Sequence, residues 1–346
     1  MQIIDNNTIH FSPLNLPYQE FDSTDGLYHV YYAYVIDTAF TVEGYTELVI
    51  DPSDAPIGSA TVEHCTHPDM IGDGNVYVVH LTIPPFFYLE GEQCSREIHV
   101  TGEFIFEGLP VGTAIDTTLI QIGCQLKNWL YFIANQNNST VKIDKLSNNQ
   151  TLLEYTLDSG VTWNPMTLST TVTLAENQRV FFRGNLTADN TSSNYTRFKL
   201  SGSLQCGGNC NYVWNADNPD TPLKKYCGYR LFNSCKQLTT LPDLPSTTVT
   251  EGCYYGIFDG CTGATNAPYL PAENLEPSCY REMFKSCKNI PTIYCNALST
   301  TANKCTENWM KSVANSGTFY KNPNKTDWER TVNGVPTGWT ITDLTS

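Results

Sequence analysis

Apolar and polar residues alternate along the first two thirds of the chain, and short polar turns separate the runs. Tyr28–Ile36, Thr46–Ile50, Val76–Ile83 and Glu97–Phe106 read as strands, broken by Pro and by clusters such as Gly72-Asp73-Gly74. Leu130–Ile133, Thr140–Ile143, Thr171–Leu174 and Arg179–Phe182 continue the pattern. After residue 206 a longer period takes over. Cys227-Gly-Tyr-Arg-Leu-Phe-Asn-Ser-Cys235 returns as Cys253-Tyr-Tyr-Gly-Ile-Phe-Asp-Gly-Cys261 and again as Cys279-Tyr-Arg-Glu-Met-Phe-Lys-Ser-Cys287. A worn copy begins at Cys305. Phe232, Phe258, Phe284 and Met310 keep the same spacing of 26, as do Leu231, Ile257, Met283 and Trp309.

A period of 26 lies in the leucine-rich-repeat range, where each unit forms one coil of a solenoid and neighbours bury each other's apolar stripe. Leu238, Leu241 and Leu244 suit a short strand with flanking turns, and the Cys-x7-Cys segment suits a helical turn facing the core. Mainly β architecture is therefore expected. Residues 1–125 would form a β-sandwich or jelly roll, 126–205 a small β-sandwich, 206–316 the repeats and 317–346 a closing cap.

The repeat also decides what the 13 cysteines mean. Their number is odd, and structural zinc sites pair Cys across two to four residues, whereas seven intervene here. Cys227, Cys235, Cys253, Cys261, Cys279, Cys287 and Cys305 read instead as buried small hydrophobes in register. Cys206-Gly-Gly-Asn-Cys210 has no second pair to complete a site and reads as a loop. His64-Cys65-Thr66-His67 is the one cluster suited to a transition metal, but its irregular spacing favours a loop, and Glu63, Asp69 and Asp73 fit no calcium-loop spacing. No metal or cofactor is expected.

The pattern Leu-x-x-Leu-Pro-x-Leu-Pro followed by Cys-Tyr-x-x-Met/Ile-Phe-x-x-Cys resembles the BspA-like leucine-rich repeats of Bacteroidales surface proteins and their phages. The ending is similar too, with Gly317-Thr318-Phe319, Asn322-Pro323, Trp328 and Gly334-Val335-Pro336-Thr337-Gly338-Trp339-Thr340. In that family such a tail closes the solenoid. Tyr155-Thr-Leu-Asp158-Ser-Gly160-Val-Thr-Trp163 resembles an Asp-box hairpin, in which Asp ties the turn, Gly takes a positive φ and Trp packs beneath. Together with the Arg179–Asn185 strand and Phe198-Lys-Leu-Ser-Gly202 it looks like the small sandwich preceding these repeats in virion proteins of crAss-like gut phages. The resemblance covers residues 126–346 and implies a structural virion protein on the particle surface, as head fibre or capsid decoration. A tail adhesin and a bacterial surface adhesin with the same repeats are the alternatives.

Composition narrows the partners. Only 16% of residues are charged, against about 25% in an average soluble protein. Residues 1–125 hold no Lys, one Arg (Arg96) and 18 Asp and Glu, a net −17, while the remainder carries +2. A face of that sign repels nucleic acid and attracts a basic partner surface, so other virion proteins are the expected partners of the N-terminal domain. The longest apolar run, Val30–Ile36, falls far short of the roughly 18 residues that span a bilayer. The first residues lack a basic stretch followed by an apolar one, so folding in a host cytoplasm without glycosylation of the Asn-x-Ser/Thr sites is expected.

All six His precede residue 100, and no phosphate loop, serine elbow or His-Glu metal helix occurs. The chain is therefore read as a non-enzyme, with a carboxylate pair acting on glycans as the enzymatic alternative. Tyr254, Tyr255, Tyr269, Tyr280 and Tyr294 are candidate stacking surfaces for a host glycan or protein, some of them exposed to competition from core packing. A homo-oligomer is expected, although no heptad pattern gives a number of chains.

Overall fold

The computed structural model describes residues 124–344 continuously; within 1–123 it describes the paired strands Gln2–Asp5 and Thr8–His10, the strands named below, and residues 86–89 and 91–94. The fold is mainly β, with several antiparallel sheets. Two compact units divide it, residues 1–126 and 127–346.

In the first unit, Tyr18–Asp22, Leu27–Asp37, Gly74–Ile83 and Ala60–Cys65 form a four-stranded antiparallel sheet in that spatial order. Thr113–Ile122, Ser95–Phe106 and Val42–Tyr45 form another, with Val49–Ile50 pairing the same long central strand. Alternation does its expected work: Ile98 and Val100 are buried while Glu97, His99 and Thr101 face out. Phe87–Tyr88 and Cys124–Gln125 pair in parallel near the unit's end. The His64–His67 cluster and the carboxylates Glu63, Asp69 and Asp73 lie outside the described side chains.

The second unit begins with two facing sheets. Gln150–Thr156, Arg179–Leu186, Leu130–Ala134 and Leu204–Gly207 are neighbours in one, edged by Asn164–Pro165; Thr171–Leu174, Ser139–Lys145 and Arg197–Ser201 form the other. Phe132 and Phe182 of the first meet Phe198 of the second, with ring centroids 5.3 and 5.1 Å apart. The Asp158 turn takes the form its sequence implies. Thr162 donates from its amide and its hydroxyl to the Asp158 carboxylate, and Gly160 has φ +99°. A Cβ on Gly160 would come within 2.7 Å of the Trp129 ring, which also meets Trp163 edge-on at 5.0 Å. Burial opposes ionisation of Asp158, yet hydrogen bonds from Thr156 and Thr162 outweigh it and hold the carboxyl below its ordinary range.

One hydrophobic core runs from Leu130 to Trp339 without a break, so the sandwich, the repeats and the tail are cored together. Phe198 stacks on Phe232, Phe232 on Phe258 and Phe258 on Phe284, with centroids 5.6, 5.8 and 5.9 Å apart and planes within 16°. The last sandwich strands thus act as the first layer of the stack.

The Cys-x7-Cys segments are not helical, contrary to the sequence expectation. Each is a ribbon of consecutive β-turns. Residues 226, 230 and 234 have positive φ, and so do 252, 256 and 260, then 278, 282 and 286, then 304, 308 and 312. A left-handed residue at every fourth position terminates any α-helix before it closes a second turn. Odd-numbered amides close the turns, as in Leu231 N to Gly228 O and Cys235 N to Phe232 O. Cross-links to the following unit come from the even-numbered amides of each ribbon. Gly228 donates to Cys253 O, Phe232 to Ile257 O, Tyr254 to Cys279 O, Phe258 to Met283 O and Phe284 to Trp309 O, all at 2.7–3.2 Å. Each polar backbone group named here is thereby satisfied without a helix.

Across the core from these ribbons, Tyr269–Leu270, Thr292–Cys295, Gly317–Lys321 and Trp339–Asp343 make a four-stranded parallel sheet. This sheet passes straight through residue 317, where the sequence suggested that a cap begins. The tail then closes the stack: Trp328 lies flat on Trp309 at 5.6 Å, and Trp309 Nε1 donates to Gly334 O. Among the described residues the single helix is the 3-10 turn Cys210–Val213.

Candidate functional site

The strands of the parallel sheet point Leu270, Ile293, Cys295 and Phe319 into the core, where each is fully buried. The opposite parity must face outward, and that row is aromatic. Tyr269 pairs in register with Tyr294, Tyr294 with Tyr320, and Tyr320 with Thr342. Tyr269 is 48% exposed and Tyr294 38%, both exposed large hydrophobic side chains, and Tyr320 is half-buried. Tyr294 and Tyr320 stack face to face, 4.6 Å between centroids and 10° between planes.

Polar groups border this ladder. Thr292, Thr318 and Thr340 form a second outward row, two residues before it. Beyond the strand ends, Asn322 Nδ2 donates to Asn296 Oδ1 at 2.8 Å, and Asn296 Nδ2 donates to Pro271 O. Lys321 and Asp343 form an ion pair at the last strand. The surface is a row of phenol rings flanked by hydroxyls, with the Lys321–Asp343 ion pair at its far edge. Such a surface can stack against the apolar face of a sugar ring or of a peptide side chain while its hydroxyls take hydrogen bonds. Among the described residues, no group of three or more His, Cys, Asp or Glu is placed to hold a metal ion.

The five tyrosines singled out from sequence separate into three environments. Tyr269 and Tyr294 belong to the ladder. Tyr254 and Tyr280 do not: each is 1% exposed, in a second internal stack that runs Trp214, Tyr254, Tyr280, Trp309 with centroids 6.0–6.4 Å apart. A ring closed on both faces by other rings has no surface for a ligand, so both are withdrawn as binding residues. Tyr255 lies half-buried on the ribbon side, edge-on to Tyr229 at 5.0 Å and under the Arg281 guanidinium at 4.9 Å. Tyr320 is the member that sequence reasoning missed. It stands 26 residues after Tyr294, so the repeat itself carried the signal, hidden by ending the repeats at 316.

The thiols are equally clear. Cys227, Cys235, Cys253, Cys261, Cys279, Cys287 and Cys305 are all buried and free, as are Cys206, Cys210 and Cys295. Cys261 Sγ lies 3.2 Å from Phe232 O and Cys287 Sγ 3.1 Å from Phe258 O, one layer down in each case. Burial pushes Cys235, Cys287 and Cys295 up to about 12, so the thiol form persists. A thiol held protonated is a poor nucleophile and a poor metal ligand.

No family model, curated protein or solved structure matches the chain.

Proposed function

We propose that the chain is a non-enzymatic structural protein of a tailed-phage virion, displayed on the particle as a head fibre or capsid decoration. Residues from 206 onward are read as a BspA-like leucine-rich-repeat solenoid whose parallel strands present a binding face. One observation carries the adhesive part of this reading: the in-register, solvent-facing row Tyr269, Tyr294 and Tyr320 on the parallel sheet. Exposed aromatics in a flat row suit a host-surface glycan or protein better than they suit a soluble monomer's resting surface. The virion assignment rests on the resemblance of residues 126–346 and on the −17 charge of residues 1–125, which favours docking to a basic partner surface. Display in several copies would multiply a weak face into avid binding.

Three measurements test it. Peptides of this chain should appear by mass spectrometry in purified virions, and antibody labelling should decorate capsids. Labelling confined to tails would favour the tail-adhesin reading, and absence from virions would sink the virion assignment. A glycan array probed with residues 127–346, which form one compact unit, should give binding that Tyr294→Ala lowers about tenfold while the protein stays folded. Equal binding by the variant would remove the ladder as the site.

A further inference from the structure

The parallel sheet turns a face of one chemical kind to solvent. The outward positions on its strands are Tyr269, then Thr292 and Tyr294, then Thr318 and Tyr320, then Thr340 and Thr342. Every one of these side chains carries a hydroxyl, and none carries a charge. Register sets them in two rows that cross the strands: Thr292, Thr318 and Thr340 in one, Tyr269, Tyr294, Tyr320 and Thr342 in the other. Tyr269, Tyr294, Thr340 and Thr342 are exposed, while Thr292, Thr318 and Tyr320 are half-buried, so none is closed off from solvent.

This grid has a step as well as a composition. Neighbouring strands in a sheet lie ~4.8 Å apart, and the Tyr294 and Tyr320 rings keep that step with centroids 4.6 Å apart. Those two rings cover the facing sides of each other, so a ligand running across the strands meets their edges and hydroxyls. A hydroxyl both gives and takes hydrogen bonds, and the grid therefore matches a ligand that is itself studded with hydroxyls. Protein interfaces are anchored by Arg and by apolar side chains in pockets, and this flat grid holds no Arg and no aliphatic residue. An acidic polysaccharide finds no Lys or Arg among these positions either. It meets instead the exposed Asp243, which holds the position of Tyr269 one coil earlier.

Resting on the adhesive reading of this ladder, we infer that its ligand is a neutral, extended, β-1,4-linked polysaccharide lying across the strands, one sugar to each strand. A chain of that linkage runs nearly straight and advances per residue by close to one strand spacing. Each sugar then meets the same pair of hydroxyl-bearing side chains as the sugar before it. Flexible or curved chains lose that register after one or two residues. Water competes for every hydrogen bond on an open face, so a single sugar gains little and recognition accumulates along the chain. Thr292 with Tyr294, Thr318 with Tyr320 and Thr340 with Thr342 supply complete steps, and Tyr269 supplies a fourth, partial one.

The full chain is titrated calorimetrically with β-1,4-linked oligomers of glucose, mannose and N-acetylglucosamine, one to six residues long. For at least one series the affinity should rise about fivefold per residue up to the tetrasaccharide and then level off. Thr318→Val removes a central hydroxyl but keeps a β-branched side chain, and should weaken the tetrasaccharide about fivefold at an unchanged melting temperature. Replacing both Thr340 and Thr342 by Val removes the last step, so the rise should stop at the trisaccharide. Oligomers of α-1,6-linked glucose and of β-1,4-linked mannuronate should bind about tenfold more weakly or worse. Equal affinity for mono- and tetrasaccharide, equal affinity for either comparison series, or unweakened binding by folded Thr318→Val overturns the inference while leaving the ladder as a glycan site. Binding by no oligomer of any series overturns the inference and the glycan side of the adhesive reading together.

Discussion

The two long sides of the repeat array use nearly the same period, 26 residues along the ribbons and 25 then 26 along the tyrosines, for opposite ends. On the ribbon side two inward columns are filled alike in successive layers, Cys at 227, 253, 279 and 305 and Phe at 232, 258 and 284, while Leu231, Ile257, Met283 and Trp309 make a third that varies. These groups are buried, stacked within 16° of parallel, and tied to the next layer by alternate amides. On the strand side the inward positions change type from strand to strand, Leu270 opposite Cys295 and Ile293 opposite Phe319, while the outward column Tyr269, Tyr294 and Tyr320 keeps its residue type. A column repeated inside the core is explained by packing, since each stacked layer must match its neighbour's shape. A tyrosine column repeated outside the core has no such explanation. The contrast therefore separates residues that hold the layers together from residues left available for a partner.

The largest expected effect comes from the thiols of the ribbon side and its neighbours. An unfolded cysteine titrates near 8.5, whereas Cys235, Cys287 and Cys295 in the fold are raised to about 12. Above pH ~8.5 the unfolded chain loses these protons and the folded chain does not. Stability is therefore complete below that pH and falls as pH rises towards about 12. Three such thiols amount to about 4 kcal/mol per pH unit. Urea unfolding of the reduced protein at pH 8, 9 and 10 should show the midpoint collapsing. A flat profile would mean that the ladder cysteines are open to solvent, and the contrast between the two sides would fail. Over the same range, a thiol reagent added to native protein should label exposed Cys94 while the buried ladder stays silent.

Next comes truncation inside and outside the core. Phe258→Ala removes the middle ring of the stack between Phe232 and Phe284 and should destabilise residues 127–346 by about 3–5 kcal/mol. Tyr294→Ala on the strand side should cost less than about 1 kcal/mol, because it loses one stacked partner on an exposed face. Thermal melts of the two variants check this directly. Comparable losses would turn the tyrosine ladder into a structural feature and deprive the adhesive reading of its support.

Different parts of this organisation were legible in the sequence to different degrees. The 26-residue register, the burial of the cysteines and the Asp158 turn all follow from spacing and residue type. The β-turn ribbon was missed because apolar residues at Leu231, Phe232 and Cys235 fit a helical face equally well. The discriminating signal was the small or polar residue at every fourth position, Gly252, Gly256 and Gly260 in one copy, which marks left-handed backbone. Tyr254 and Tyr280 were misplaced for a related reason. Residue type cannot tell an inward ring from an outward one until the ribbon's geometry fixes which way alternate positions point.

The smallest effect tests the ribbon geometry itself. In the column 234, 260, 286, 312 the chain places Ser, Gly, Ser and Ser at positive φ, with Ser286 at +64° and Gly260 at +81°. An L-residue with a side chain is strained there by roughly 1–2 kcal/mol, whereas Gly is not. Ser286→Gly should therefore stabilise the protein, by about 0.5–1 kcal/mol once the greater freedom of Gly in the unfolded chain is subtracted. Were residues 279–287 a helix instead, the same substitution would destabilise by about 0.5–1 kcal/mol. The two geometries predict opposite signs, so a shift in melting temperature of a few degrees decides between them. A rise assigns the ribbon side to left-handed turns held by its neighbours; a fall would return it to the helical turn that its apolar spacing first suggests.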